Sequence, residues 1–173
     1  IGHVLTATDV NGNVGWASVP AVTSGIFWTS GSTNLENIIS SNITTVDATG
    51  QYAVAWGDGN LASGYASTAW GANTNSTGVT STSMGRTTVA GGASSLAHGR
   101  NTKAYGDYSF ATGSSTEASG RGSFAQGLLT KSIGTESHSE GFQTEAIGNY
   151  SHAKGQNTKA IGIYSHSSGI GTI

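Results

Sequence analysis

Gly106-Asp107-Tyr108-Ser109-Phe110-Ala111-Thr112 is followed at once by Gly113-Ser114-Ser115-Thr116-Glu117-Ala118-Ser119, and the next residue is again a glycine, Gly120. The spacing holds from Gly50 to Gly169, where a glycine stands at every seventh position, eighteen in succession. The third residue after each glycine alternates between Ser and Thr from Ser67 to Thr172, so the true repeat is 14 residues long, with one half of type G-x-x-S-x-A-x and one of type G-x-x-T-x-A-x. Self-similarity at a fixed period means stacked copies of one supersecondary unit. The pattern predicts an all-β solenoid in which two short strands, joined by two glycine turns, make one coil. Function then resides in a built surface.

Composition narrows the alternatives. Of 173 residues only 35% are hydrophobic and 9% charged, thin material for a conventional globular core. A disordered chain is equally poor in apolar residues, but disorder keeps no heptapeptide register. The single proline, Pro20, stands outside the repeats, as strands that must donate ladder hydrogen bonds require. Cysteine is absent, which excludes disulfides and thiolate metal sites. Seven Lys plus Arg against nine Asp plus Glu leave no electrostatic footprint for nucleic acid. No run approaches the length of a membrane-spanning helix and no signal-peptide pattern opens the chain, so no membrane insertion is expected of this segment. The chain opens at Ile1 without a methionine and its repeats run to Ile173 with no cap, from which a larger fibre is expected around it.

Side-chain parity decides what faces where. The third and fifth places after each glycine share one face of a strand, the fourth and sixth the other. A coil of 14 residues is narrow, so the columns of Ser, Thr and Ala are expected inside, with Ser replacing Ala at Ser76, Ser83, Ser132, Ser139 and Ser167. In the Ser halves the outward fourth place carries Val54, Leu96, Phe110, Phe124, His138, His152 and His166, with Thr68 and Thr82 between the aliphatics. Left in water this column would be an exposed apolar stripe, which soluble monomers avoid, so another copy of the chain is expected to cover it. In the Thr halves the same place reads Lys103, Glu117, Lys131, Glu145, Lys159, a surface charge ladder of alternating sign. Each such pair contributes about 0–1 kcal/mol, yet a slip by one coil would set like charges opposite each other. Ile133, Ile147 and Ile161 stand beside that ladder, so its side is expected to be partly solvated.

The half-repeats Ser109-Phe110-Ala111-Thr112-Gly113, Ser151-His152-Ala153-Lys154-Gly155 and Thr158-Lys159-Ala160-Ile161-Gly162 resemble the YadA-type head repeat of trimeric autotransporter adhesins. Similar runs occur in phage tail-fibre and tail-spike proteins. The resemblance covers residues 50 to 172 and rests on period, glycine, Ser/Thr and Ala together. It implies a left-handed parallel β-roll assembled as a parallel homotrimer, with the Val54-to-His166 column at the subunit interface. A structural and adhesive fibre segment follows, with a host cell-surface receptor, glycan or matrix protein as partner. A virion tail fibre is the leading reading, and a bacterial cell-surface adhesin head the alternative. An ice-binding solenoid is a remote third: ice faces show two outward Thr rows, whereas the single Thr row here shares the inward face with Ala.

Residues 1–49 are a different piece from the repeats of 50–173. Val4-Leu5-Thr6-Ala7-Thr8 and Val14-Gly15-Trp16-Ala17-Ser18 flank Asn11-Gly12, a hairpin signal near residues 3–18. Gly2-His3-Val4-Leu5-Thr6 with Asn11-Gly12 and Trp16 also resembles a connector of phage and other virion fibre proteins. In the segment Thr33 to Ile43, Thr33 and Glu36 form a capping-box candidate with Leu35, Ile38, Ile39 and Ile43, while the Ile, Ser and Thr content suits a strand, and both remain open. Residues 24–49 are the natural cap of the first coil.

Each chemical site has a plainer reading beside it. His138, His152 and His166 recur at coil spacing, and in a trimer each level would be a ring of three imidazoles, in principle an all-nitrogen metal site. The plainer reading continues the packing column begun by Phe110 and Phe124, with Glu140 or Lys154 balancing charge, so no metal and no cofactor is assigned. Calcium solenoids need Asp in the glycine turns, and only Asp9, Asp47, Asp58 and Asp107 are present. No Asp–His pair stands beside a serine, so no enzyme activity is expected. Trp56, Trp70, Tyr108, Tyr150 and Tyr164 could stack on sugars, but packing or subunit contact accounts for the two Trp as well. His3 and His98 are isolated.

Overall fold

The computed structural model describes residues 3–7, 14–18, 28–29, 38–40 and 47–173. The repeats wind into a parallel β-solenoid of nine coils, each with one strand of five residues and one of two, and no helix occurs among the described residues. Successive five-residue strands, from Val54–Asp58 to His166–Ile170, stack in parallel in one sheet. The two-residue strands, from Asp47–Ala48 to Lys159–Ala160, stack in a second. Register is 14 residues throughout, as in Leu96↔Phe110↔Phe124↔His138. The second sheet begins at Asp47, ahead of Gly50. The first continues upstream into Ile38–Ser40, parallel to Val54–Asp58, and then into Trp28–Thr29, antiparallel to it. His3–Ala7 pairs antiparallel with Val14–Ser18, Leu5 opposite Trp16. Ile38–Ser40 is thus strand where the sequence left helix and strand open, whereas Asn11-Gly12, Thr33 and Glu36 lie outside the described residues.

Between the sheets lies a core of small side chains. Ala55, Ala69, Ala97, Ala111 and Ala125 of the long strands, and Ala62, Ala90, Ala104 and Ala118 of the short ones, are fully buried, as are Thr74, Thr102 and Thr130. Burying a methyl-sized group contributes about 0.8 kcal/mol, so stability accumulates coil by coil rather than in one large cluster. Where Ser replaces Ala a lone buried hydroxyl is costly, and most of these hydroxyls find a partner, whereas Ser83 Oγ has none. Ser132 and Ser139 meet across the core at 2.7 Å, and Ser76 meets Ser81 at 3.0 Å. At the N-terminal end of the Thr column Asn60 is buried, donates to the carbonyls of Trp56 and Gly71 at 2.7 and 2.8 Å, and accepts from the Thr74 amide and hydroxyl at 2.8 Å each.

The glycine turns need correction. Half of the register glycines are not in turns at all: Gly127 lies within the strand Phe124–Leu128, where its φ of +122° bends a strand that keeps its ladder. A Cβ there would overlap the carbonyl oxygen of Gly141 on the next coil, so close stacking and backbone conformation both exclude a side chain. The other half, such as Gly120, have ordinary φ and, apart from Gly162 near the end of the stack, are held to glycine by the same overlap alone. The turn residue with left-handed φ is instead the second after each glycine, and it is mostly not glycine: Tyr108 (59°), Leu129 (60°), Glu136 (53°), Asn157 (55°). The stacked coils offset that strain, since each of these amides donates to a carbonyl of the preceding coil, Tyr108 to Ala93 at 2.8 Å and Glu136 to Arg121 at 2.8 Å.

Candidate functional site

The outer face of the long-strand sheet carries two parallel columns, because successive outward residues of a strand fall two apart. The first is the fourth place. Val54, Leu96, Phe110, Phe124, His138 and His152 are all half-buried on it, while His166 on the last coil is exposed. From Phe110 onward the column is a continuous ring ladder. Phe110 and Phe124 stack at 4.9 Å and 6°, Phe124 meets His138 edge-on at 4.8 Å, His138 and His152 stack at 4.6 Å and 7°, and His152 meets His166 edge-on at 4.9 Å. Stacked at this spacing the rings shield one another, and among the described residues no element packs over them.

Partial burial lowers the pKa of His138, with Lys154 adding to the shift and Glu140 opposing it. His152 is lowered by burial first, then by His138 and His166 as like charges. The Nε2 atoms of both rings are buried without a hydrogen-bond partner. Glu140 and Lys154 bond to each other at 2.7 Å, and Glu140 lies 4.0 Å from His152 Nε2, so the acid serves the lysine first. That hydrogen bond also holds the Glu140 carboxyl below its usual range. Among the described residues no group of three His, Cys, Asp or Glu side chains has a metal-holding arrangement.

The sixth place is the second column and runs Trp56, Trp70, Met84, His98, Thr112, Gln126, Glu140, Lys154. Trp56 and Trp70 stack at 5.9 Å and 21°. Beside this column the in-strand glycines leave a shallow trough: one stretch, about 310 Å³, is bounded by Trp70, Gly71, Met84 and Gly85. Another, about 360 Å³, is bounded by Gln126, Gly127, Glu140, Gly141, Lys154 and Gly155. Past the glycines, Arg86 and Arg100 are exposed register partners on adjacent strands.

On the opposite sheet Lys103, Glu117, Lys131, Glu145 and Lys159 form one outward column with strict register. Lys159 Nζ approaches Glu145 Oε2 at 3.0 Å, whereas Lys103 turns toward the Tyr105 ring, 5.9 Å from its centroid, so the column closes one contact pair rather than a continuous chain of them. Ile133 and Ile161 beside it are exposed and Ile147 is half-buried. Elsewhere Tyr150 and Tyr164 stack at 5.0 Å, and the Arg121 guanidinium lies over Tyr108 at 5.6 Å. His98 is within 3.5 Å of the Thr112 hydroxyl and joins no cluster. The Arg86–Arg100 juxtaposition escaped the sequence reading, although both stand one place after a register glycine and 14 residues apart.

The family model of the YadA head domain repeat matches residues 48–74, 90–116 and 104–128. No curated protein matches the chain. The matched stretches, residues 48–74 and 90–128, are thus similar to YadA head repeats.

Proposed function

We propose that this chain, built of YadA-like head repeats, is a structural and adhesive segment of a homotrimeric fibre, most specifically part of a virion tail fibre that presents a rigid surface to a host cell. What carries the reading is the column from Leu96 through the rings of Phe110, Phe124, His138 and His152, which no described element of its own protomer covers. Burial of such a column between copies is the ordinary outcome for a soluble protein. The fibre has no catalytic role, holds no cofactor, and engages a cell-surface receptor, glycan or matrix protein rather than nucleic acid or the membrane interior. Its N-terminal strands, with the Gly2-to-Trp16 sequence pattern, support the virion version.

A second reading, the head of a bacterial trimeric adhesin, is favoured by the repeat match itself. The two separate experimentally. Mass by light scattering is expected at three copies, and a monomer overturns both. Purified trimer is then offered to bacterial cells and to immobilised matrix proteins: saturable attachment to bacteria supports the tail fibre, and attachment to matrix alone supports the adhesin.

A further inference from the structure

We infer that the trough beside Trp70 is a saccharide subsite that takes an acidic oligosaccharide of low charge density, its sugar ring against the Trp70 indole and its carboxylate on Arg86 and Arg100. The inference rests on the attachment reading above and names the ligand class of that surface. Trp70 is 57% and Trp56 39% exposed, large aromatic areas on a sheet that fixes their positions. The neighbouring trough is lined by Trp70, Gly71, Met84 and Gly85, so a ring lying there meets the backbone of the two glycines beside the Trp70 and Met84 side chains. Arg86 and Arg100 stand opposite each other on adjacent strands, about 4.8 Å apart along the stack. Like charges placed so destabilise a sheet. Among the described residues neither guanidinium forms an ion pair, and Arg100 reaches only the Ser114 hydroxyl, at 3.4 Å. A carboxylate bridging the pair would relieve that repulsion through forked hydrogen bonds.

Competing occupants fit less well. The strands Thr68–Ala72 and Thr82–Arg86 are paired on both sides, so no backbone edge is open to an added peptide strand. A densely charged polyanion running along the stack would meet Asp58 in the Arg column and Glu140 in the Trp column. A sugar chain with one carboxylate per repeating unit matches an aromatic step at Trp70 and one Arg86–Arg100 pair that a single carboxylate can bridge.

The test uses the intact trimer on an array of uronate- and sialate-bearing hexasaccharides together with the same compounds reduced at the carboxyl to the alcohol. Binding to acidic members is expected, at least about tenfold weaker for the reduced counterparts, and weakened by about tenfold or more in Trp70→Ala and in the Arg86→Gln/Arg100→Gln double variant, since truncating an anchor costs over 1 kcal/mol. Lys159→Gln, on the other sheet, is expected to bind as wild type. Wild-type trimer that binds no acidic hexasaccharide, or binds acidic and reduced forms equally, overturns the inference. So does dissociation of the Trp70→Ala trimer, which would place the indole between subunits. Mass and cell attachment are read on the same samples: a monomer sinks the fibre reading, whereas a trimer that attaches to cells and ignores every saccharide sinks this inference alone.

Discussion

Phe110 and Phe124 fill two coils of the ring ladder and His138, His152 and His166 fill the next three, over a backbone that does not change at the boundary. Strand length, register and the buried third and fifth places are the same on either side. The ring geometry is nearly the same too, 4.9 Å and 6° for the Phe pair against 4.6 Å and 7° for His138 and His152. The difference is one of chemistry alone: the Phe rings are apolar at every pH, and the imidazoles can each take a proton. The roll thus separates scaffold from property. Glycine and small residues set the coil, and the fourth place sets what the coil's surface does.

The most severe way to break the comparison is to charge its apolar half. Phe110→Asp with Phe124→Asp places six carboxylates around one axis in a trimer, at about 3–5 kcal/mol for each uncompensated buried charge. Assembly is expected to fail, read as loss of the trimer mass in light scattering. An unchanged trimer would show that the ladder faces solvent, and the proposed interface would have to lie elsewhere.

The seam between the halves can be struck through the scaffold instead. Gly127 sits on the last Phe coil, and Gly127→Val must displace the carbonyl of Gly141 on the first His coil while adopting a φ that valine avoids. A loss of about 3 kcal/mol or more is expected, seen as a lower melting temperature with the two halves uncoupled. Gly122→Ala, two residues past a register glycine, is the control. Its φ of +64° lies in the same left-handed region as Tyr108 (59°) and Glu136 (53°) at equivalent positions, and the nearest atoms to the added Cβ are the movable end of Glu136. Its cost is expected at about 1–2 kcal/mol. Equal melting temperatures for the two variants would contradict the stacking contact.

That pair of glycines also marks how far the sequence could be read. The 14-residue coil and its inside-outside parity are legible because both follow from strict periodicity, and the columns at Phe110, His138 and Lys103 fall on the faces that parity assigns. The in-strand bend at Gly127 was not, because one glycine register serves two backbone conformations that sequence writes identically. Nor were the left-handed turns, since Tyr108, Leu129 and Glu136 carry no turn signal and owe their conformation to hydrogen bonds from the neighbouring coil. Departures from the repeat were the unused clue. Asn60 in place of Ser or Thr is the buried cap of its column, and Ser132 with Ser139, half a repeat apart in the Ala columns, are each other's partner.

Acid should separate the halves without mutation. His138 and His152 have lowered pKa values in the folded chain, so the unfolded chain binds more protons as pH falls. Their contribution is therefore whole above the unfolded value of about 6.5 and declines as pH drops through the window below it. The lowered pKa of Glu140 works in a separate window, its contribution being lost only as pH falls below the usual carboxylate range. Melting temperature is expected to fall between neutral pH and about pH 5 in wild type, and to stay flat there when His138, His152 and His166 are replaced by Phe. A decline of equal slope in both proteins would show that the imidazoles do not set it.

The smallest expected effect sharpens the contrast from the opposite sheet. Lys159 and Glu145 lie 3.0 Å apart with side chains 48% and 27% exposed, so water and salt screen the pair from both sides. A double-mutant cycle with Lys159→Gln and Glu145→Gln is expected to give a coupling of about 0.2–1 kcal/mol that shrinks as salt is raised. Neither single variant should alter trimer mass or the acid response of the His coils, because the pair stands on the face away from the ring ladder. The column's value is then one of register: its alternation makes a one-coil slip set Lys against Lys and Glu against Glu. A coupling well above that range, or one insensitive to salt, would mean that this sheet too is covered, and that the Lys and Glu column belongs to the interface rather than to the solvent side.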